Sequence, residues 1–216
     1  MNRFLIIGLA GLLAAGCSQF GSETSRQQAQ QEWLRWQQSV QQVEIWDLHA
    51  RAVVILEAEV YHVGIRWQRD RKGFVILLEA PFGQGVFRVE SSSTGPHPYR
   101  LSLPDGRVLG NDSPEALLEE VIGWSIPISG LEYWIRGIPR PEMKYSHRVG
   151  VGGRLQSLQQ DNWSIRYLDY FSSQELPQLP RRMRLEHSDL TLKLVVERWQ
   201  QSESDQSPSE LFPEFN

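Results

Sequence analysis

The sequence predicts a mostly β fold of the α+β class: an antiparallel, curved half-barrel of about 11 strands, with an apolar concave face covered by short helices. Three observations lead to this prediction. Apolar residues recur at every second position over most of the chain, which is typical of half-buried strands. Short turn sequences connect these strands, so neighbouring strands must be antiparallel. Apolar helical segments interrupt the strands, and they are the only available cover for the apolar face.

The first 16 residues are typical of a secretory signal. Arg3 precedes an apolar stretch, and small residues precede Cys17, the only cysteine of the chain. A cysteine directly after a small-residue cleavage point resembles the lipobox of bacterial lipoproteins, although Ala14 stands where that motif prefers leucine. The resemblance implies cleavage before Cys17, a diacylglycerol on its thiol and a third acyl chain on its amine. Three chains anchor a protein stably, because each buried CH₂ contributes about 0.8 kcal/mol.

Two other interpretations of this segment stay open. In the first, Cys17 is a chance cysteine in an ordinary cleaved signal. In the second, residues 1–13 form a transmembrane anchor. The apolar run is shorter than the roughly 20 residues that span a bilayer, and a lone unpaired cysteine is unusual in an oxidising compartment. Both observations favour lipidation. Ser18 follows the cysteine where inner-membrane lipoproteins of enteric-type bacteria have Asp, and this resemblance implies the outer membrane.

Removal of residues 1–16 leaves 200 of the 216 residues, enough for one domain with a sizeable core. We expect a lipidated N-terminus and tether at residues 17–25, one half-barrel domain at residues 26–199, and a disordered polar tail at residues 200–216. Loss of Arg3 changes the formal net charge from −4 to −5. Since the chain has no basic block, nothing indicates a nucleic acid partner.

Aromatic residues are abundant, with eight Trp, eight Phe and six Tyr. One interpretation is a well-filled core, which aromatic side chains commonly dominate. The other is an apolar cavity or a rim that faces a membrane. Composition by itself does not separate the two.

The domain begins with a glutamine-rich segment over residues 26–43. Trp33, Trp36, Val40 and Val43 recur at helical spacing and form one apolar stripe, which predicts a helix packed against the body of the domain. A free-standing membrane helix is less favoured, because the polar face carries Gln instead of Lys or Arg.

About six strands follow, with turns at residues 70–73, 93–96 and 104–106. The inward-facing positions of these strands alternate with polar ones. They are Leu48, Ala50, Ala52, Val54, Leu56 and Ala58, then Tyr61, Val63, Ile65 and Trp67, then Phe74, Ile76 and Leu78, then Phe87 and Val89, and then Tyr99, Leu101 and Leu103.

Two short helices are predicted after these strands. Ser113 is a suitable N-cap, Pro114 fits the first helical position and Gly123 ends the first helix. The second helix begins after Trp124, is almost entirely apolar and stops before Pro139.

Strands resume in the last third of the chain. Pro177 and Pro180 are expected to interrupt this pattern. The predicted strands cover residues 144–149, 153–158, 163–170, 184–187 and 190–199.

No motif indicates an enzyme, and we predict that the protein is not one. The five histidines show no pair at the spacing of metal ligands. His187, Ser188 and Asp189 are the residue types of a catalytic triad, but neighbours in a turn point apart. The chain has no nucleophile elbow, phosphate-binding loop or dinucleotide motif. We therefore expect no metal and no cofactor. A periplasmic hydrolase finds no support in these residues.

The segment at residues 123–139 resembles the signature of the LolB family, which are outer-membrane lipoprotein receptors. Trp67 and the sequence Ala-Pro-Phe-Gly at residues 80–83 resemble the tryptophan and the Pro-Leu-Gly loop of the same family, with Phe82 in place of leucine. Residues 162–163 and the closing strand also agree. The resemblance extends over nearly the whole domain.

The resemblance implies a function in lipoprotein transport. The family fold is a half-barrel whose apolar cavity accepts acylated lipoproteins, the cargo, from a LolA-like soluble periplasmic carrier. The receptor then inserts them into outer-membrane lipid without nucleotide hydrolysis. It further implies a lipid-anchored monomer that faces the periplasm, with no cofactor beyond the acyl groups on Cys17. In the loop Pro81, Phe82 and Gly83, the exposed Phe82 would serve membrane delivery.

Two function classes therefore stand side by side. The first is this receptor, and the second is a lipid-anchored periplasmic scaffold with a solid core and no ligand. For the receptor, we expect the acyl-chain cavity to be lined by one face of the strands and by the helices. The expected residues are Val54, Ile65, Trp67, Ile76, Leu78, Leu118, Ile122, Trp124, Leu131, Trp134, Ile135 and Trp163.

Overall fold

A computed structural model describes residues 17–79, 85–150, 152–172 and 178–201. One open, curved sheet of 11 antiparallel strands and three α-helices make up this part of the chain. The predicted fold class is therefore confirmed. The elements are α1 (Cys17–Gln41), β1 (Trp46–Leu56), β2 (Glu59–Arg69), β3 (Phe74–Glu79), β4 (Val86–Ser91), β5 (Tyr99–Ser102), β6 (Val108–Asn111), α2 (Pro114–Ile122), α3 (Ile128–Trp134), β7 (Tyr145–Val149), β8 (Leu155–Gln160), β9 (Trp163–Tyr170), β10 (Pro180–His187) and β11 (Leu190–Gln201).

The sheet consists of two meanders joined at the centre. The strand order is β6-β5-β4-β3-β2-β1-β11-β10-β9-β8-β7, so the first strand pairs with the last. Strands β6 and β7 are consecutive in the chain but lie at opposite edges of the sheet. Helices α2 and α3 connect them. The connection must therefore cross the sheet from one edge to the other, and its apolar side chains join the core on the concave face.

Side chains of the central strand alternate as the sequence predicts. The buried side chains of β1 are Trp46, Leu48, Ala50, Ala52 and Val54. The residues between them are partly or fully exposed. This period of two is the expected consequence of the strand pleat. It assigns the buried set to the concave face and the intervening set to the outer face.

Helix α1 is longer than predicted, because it begins at Cys17 and includes the segment expected to be a tether. The segment contains no proline, so nothing in it stops the helix from extending toward the N-terminus. The predicted apolar stripe packs on the body: Trp33 and Val40 are buried, and the Trp33 ring lies 4.3 Å from the His147 ring of β7. The helix backbone passes very close to Gly153, where a Cβ would lie 2.7 Å from the Glu32 carbonyl carbon.

Strand β10 begins earlier than predicted. Pro180 is its first residue, whereas we expected an interruption there and a strand from residue 184. A proline is tolerated at the first position of a strand, since it lacks only a donor that the ladder does not need there. At the C-terminus, β11 extends to Gln201, so the first two residues of the predicted disordered tail belong to the sheet. Residues 202–216 lie outside the described part of the chain.

The predicted caps of α2 are confirmed. The Ser113 hydroxyl oxygen accepts a hydrogen bond from the Ala116 N–H at 3.2 Å. Pro114 occupies the first turn, and Gly123 closes the helix with a φ of 80°. Its N–H donates to the Glu119 carbonyl at 2.9 Å. Both ends of the helix are thus determined by local sequence.

We expect Ser113→Ala to lower the free energy of unfolding by about 1 kcal/mol, because the cap of the Ala116 N–H is lost. Equilibrium urea denaturation measures this change. Ser113→Asn is the matched control, since asparagine caps about as well as serine. Equal losses in both variants would show that the cap is not the cause.

Candidate functional site

An apolar cavity of about 300 Å³ lies between the concave face of the sheet and the helices α2 and α3. The floor comes from β1, β2, β3, β4 and β11, and the cover comes from α2, α3 and the residues between them. Among the described residues, no acidic or basic side chain lines it. Its size is at the lower end of the range of roughly 300–1,000 Å³ that is typical of small-molecule sites.

The structure brings most of the predicted residues together around this cavity. Ten of the twelve lie in its lining, including residues as far apart in sequence as Val54 and Ile135. These ten are Val54, Ile65, Trp67, Ile76, Leu78, Leu118, Ile122, Trp124, Leu131 and Ile135. That they contact an acyl chain stays a prediction.

Trp134 and Trp163 lie outside the lining, which corrects the prediction for both. Trp134 is fully buried, and its indole N–H donates to the Gln160 side-chain oxygen at 2.8 Å. Its ring lies 6.2 Å from that of Trp163, which in turn stacks on His187 at 5.1 Å. These rings fill the space between α3 and strands β8 to β10. Sequence periodicity placed both residues on the inner face but did not show that their half of the face is solid.

Sequence reasoning missed half of the lining. The missed residues also come from the inner faces of strands and from the helical connection. They are Leu48, Ala50, Ala52, Tyr61, Val63, Phe87, Ile126, Ile128, Leu192 and Leu194.

Ala50 and Ala52 explain why the cavity exists. They lie on the concave face of β1, the middle strand of the eleven. Ala52 pairs with Val63 of β2 and with Leu194 of β11, so a one-carbon side chain is flanked by larger ones on both sides. Such a step leaves a depression in the face that the covering helices do not fill. Two small residues at inward positions between Leu48 and Val54 were the available sequence signal.

The rim of the cavity is half-buried and aromatic. The Tyr61 ring of β2 faces the Trp124 ring of the cover, with centroids 6.3 Å apart. The Tyr61 hydroxyl donates a hydrogen bond to the Glu59 carboxylate, which raises the pKa of Tyr61 above its ordinary value. Val63 and Ile126 complete this side of the lining and are also only partly buried. An apolar ligand would therefore meet apolar side chains from the rim inward.

The two covering helices are fastened to each other. The Glu115 carboxylate in the first turn of α2 accepts from the backbone N–H of Ser129 in α3 at 2.7 Å. This bond satisfies a donor near the start of α3, where the N-cap Pro127 has no side-chain hydrogen bond.

The C-terminal end of α3 is fixed to the sheet and to the segment between α1 and β1. The Tyr167 hydroxyl donates to the Trp134 carbonyl at 3.1 Å. Arg136 is buried, and its guanidinium donates to the Glu132 carbonyl at 3.0 Å and the Val43 carbonyl at 3.4 Å. Burial lowers the pKa of Arg136 because it penalises the charged form. By contrast, residues 123–126 between the helices are half-buried or exposed, so this end of the cover is held by fewer contacts.

The structure does not test the roles of the remaining predicted site residues. Cys17 begins α1, whereas Pro81, Phe82 and Gly83 lie outside the described residues, between β3 and β4. Lipidation and membrane delivery therefore stay predictions. Within the described part of the chain, no helix is both long and apolar enough to cross a membrane, and no cluster of His, Cys, Asp and Glu could hold a metal ion.

Comparison with known proteins identifies a family. Residues 44–199 match the model of the LolB family, described as outer membrane lipoprotein LolB. The outer-membrane lipoprotein LolB of Nitrosococcus oceani is 34% identical over 199 residues, which are 92% of this chain and 97% of the relative. The protein of the same name from Pseudomonas putida (strain GB-1) is 32% identical over 190 residues, which are 87% of this chain and 91% of the relative.

Solved structures of low sequence identity superpose on this chain with TM-scores just under 0.5. A LolA superfamily protein from Nitrosomonas europaea superposes with a TM-score of 0.48 at 7% identity, over 87% of this chain and 97% of that one. An outer membrane lipoprotein-sorting protein domain from Vibrio parahaemolyticus has the same TM-score at 10% identity, over 87% and 96% of the two chains.

We expect Ala52→Leu to weaken the binding of an apolar fluorescent probe by at least about tenfold, because the added atoms occupy the cavity floor and remove space for roughly 1–2 kcal/mol of contacts. Fluorescence titration measures the affinity. Val53→Leu is the matched control, since it enlarges the neighbouring residue on the outer face of the same strand. Unchanged affinity in a folded Ala52→Leu protein would mean that the probe binds elsewhere.

Proposed function

Because this chain belongs to the LolB family of outer-membrane lipoproteins, we propose that it is an outer-membrane receptor in lipoprotein localisation, and that its apolar cavity holds the acyl chains of the cargo. The cargo arrives on a LolA-type soluble carrier in the periplasm and leaves into the outer membrane. Cys17 carries the lipid anchor, and the folded domain faces the periplasm.

The observation that carries this proposal is a cavity at the centre of the sheet whose lining, within the described part of the chain, is apolar and free of charged side chains. An acyl chain of a dozen CH₂ groups gains on the order of 10 kcal/mol on leaving water. Aliphatic side chains from strands and cover can provide that environment, and no polar partner is needed. The half-buried rim at Tyr61 and Trp124 is the side at which the chain enters. Displacement of residues 123–126 would enlarge the cavity for a longer chain.

Transfer through this site runs downhill. The sequence contains no nucleotide-binding motif, so the acyl chain must bind more tightly to the receptor than to the carrier and most tightly to the bilayer. A cavity that its ligand contacts incompletely forfeits part of the dispersion energy available in a close-packed interior. An intermediate affinity is therefore a natural property of a pocket that its ligand contacts incompletely.

The cavity argues against the alternative of a scaffold with a solid core. An unfilled apolar space beneath the cover lowers stability, because its lining lacks contact partners. A scaffold gains nothing from that cost, whereas a receptor for acyl chains requires it. The other half of the same concave face, around Trp134 and Trp163, shows that this fold can be filled where no space is needed.

We expect an acylated lipoprotein with a diazirine in its acyl chain to cross-link to Ile65 and Leu78 of the cavity wall, because these side chains line the space that the chain enters. Mass spectrometry of the cross-linked peptides locates the contacts. Ile165 is the internal comparison, since it has the same residue type and is buried in the filled half of the face. Cross-links concentrated on Ile165, Trp134 or Trp163 would place the acyl chain elsewhere.

We expect Phe82→Glu to preserve folding and acyl binding but to abolish delivery of cargo to liposomes, since a charge replaces the apolar side chain that enters the lipid. A transfer assay that separates liposomes from soluble protein measures delivery. Phe82→Leu, which introduces the leucine of the LolB family's Pro-Leu-Gly loop, should deliver normally. Normal delivery by the glutamate variant would exclude Phe82 from the mechanism.

A further inference from the structure

The outer face of strands β7 to β11 carries more cations than carboxylates. These five strands contain seven basic residues, namely Arg148, Arg166, Arg181, Arg182, Arg184, Lys193 and Arg198, and only three acidic ones, Asp169, Glu186 and Glu197. All seven basic residues are at least partly exposed. The chain as a whole has a formal net charge of −4, so this face is opposite in sign to the rest of the protein.

Strand register aligns several of these cations in one row. Arg148 pairs with Ser157 and Ser157 with Arg166, and Arg166 then pairs with Arg184. Arg184 pairs in turn with Lys193. Directly paired residues project on the same side of a sheet, and like charges placed opposite each other destabilise it. The row is therefore not explained by stability of the fold.

The carboxylates on this face do not neutralise the row. Glu186 accepts from both Arg166 at 3.0 Å and Arg184 at 2.6 Å. Asp169 lies 3.4 Å from both Arg181 and Arg182.

The third carboxylate, Glu197, pairs with Arg51 of β1. Among the described residues, no carboxylate oxygen lies within 4 Å of a charged side-chain nitrogen of Arg148 or Lys193. Each arginine keeps N–H donors that a ligand anion can use, because one guanidinium offers five.

An exposed leucine stands among these cations. Leu168 is 60% exposed and lies between Tyr167, which pairs with Met183, and Asp169, which pairs with Arg182. It has no partner in β10, because the register shifts there in a β-bulge. Leu168 faces outward because it alternates with the buried Ile165 and Tyr167. The bulge leaves this apolar side chain without a cross-strand partner, beside two basic residues, Arg166 and Arg182.

We propose that this basic face, defined as Arg148, Arg166, Arg181, Arg182, Arg184 and Lys193 around Leu168, docks on an anionic phospholipid surface. Guanidinium groups bind phosphate oxygens in a bidentate manner, and attraction to anionic lipid adds with each basic residue near the surface. Leu168 enters the boundary between headgroups and acyl chains. Among the described residues, Phe171 is the aromatic side chain in contact with a cation of this face, with its ring 6.0 Å from the Arg181 guanidinium. Since protein–protein hot spots are enriched in Trp and Tyr as well as Arg, a lipid surface fits this face better than an acidic protein.

Docking in this manner orients the whole domain. The cavity lies on the concave side of the sheet, opposite to the basic face. With the basic face on the membrane, the concave side of the sheet, which holds the cavity, is turned away from the lipid surface. This inference rests on the membrane location given in the proposed function, but it does not depend on what the cavity binds.

The experiment places a polarity-sensitive fluorophore on the face. Full-chain protein with Leu168→Cys is labelled and reconstituted in vesicles of phosphatidylcholine with or without phosphatidylglycerol. Wild-type protein labelled in the same way is the reference, because it accounts for any dye on Cys17. Val108→Cys is the matched site, because Val108 is 58% exposed on the edge strand β6. In vesicles that contain phosphatidylglycerol, we expect the emission of the label at 168 to shift to the blue and to be quenched by a lipid-borne quencher. The label at 108, and either label on phosphatidylcholine alone, should show neither effect. High salt should reverse both effects.

Charge variants test the cause in the same assay. Arg148→Gln combined with Lys193→Gln removes two cations without breaking an ion pair found among the described residues, and it should reduce the blue shift at least twofold. Arg100→Gln combined with Arg107→Gln removes two cations outside the face, from β5 and the turn after it, and should leave the shift unchanged. Binding of an apolar probe in the cavity should be unaltered in both, which separates this inference from the function of the cavity.

Three results would overturn the proposal. The first is a label at 168 that is as water-exposed on anionic vesicles as on phosphatidylcholine alone. The second is a shift of the same size in both lipids, which would mean that charge has no part in it. The third is a label that responds to a soluble LolA-type carrier but not to vesicles, which would mean that the face binds a protein.

Discussion

Pairing between β1 and β11 is the interaction on which the rest of the structure depends. It joins the first meander to the last along eleven residue pairs and makes one sheet of two halves. As a result, β6 and β7 become opposite edges, although they are consecutive in the chain. The polypeptide between them must then cross the concave face, so the cover of the cavity follows from the topology of the sheet.

The concave face shows how one apolar surface supports two tasks. Over β8 to β10, Trp134 and Trp163 fill the space and hold the end of α3 with an indole hydrogen bond to Gln160. Over the central strand, Ala50 and Ala52 leave the space open. The filled half thus fixes one end of the cover, while the segment after α2 lies over the hollow. The part of the sheet that holds the cover in place is therefore different from the part that leaves room for a ligand.

Local rules made much of this predictable. The caps of α2 depend on Ser113 and Gly123, which act on backbone groups within four residues, and alternation in β1 depends only on the pleat. Other features depend on more distant partners. Pro180 is accepted as the first residue of a strand because β9 lies beside it, and Trp163 leaves the cavity because it meets Trp134 and His187. A periodic pattern assigns a residue to a face but not to a position along it.

The sequence by itself determined the strands, their antiparallel order, the helical cover and the apolar nature of the inner face, since each follows from spacing, turn residues and short connections. It also contained the residues that relate the chain to its family. Only the tertiary structure decided where the inner face is hollow, which cations of the outer face form a row, and that a bulge leaves Leu168 without a cross-strand partner. These properties depend on strand register, and the cavity also depends on side chains more than a hundred residues apart, such as Ala52 and Leu194. No local pattern encodes such contacts.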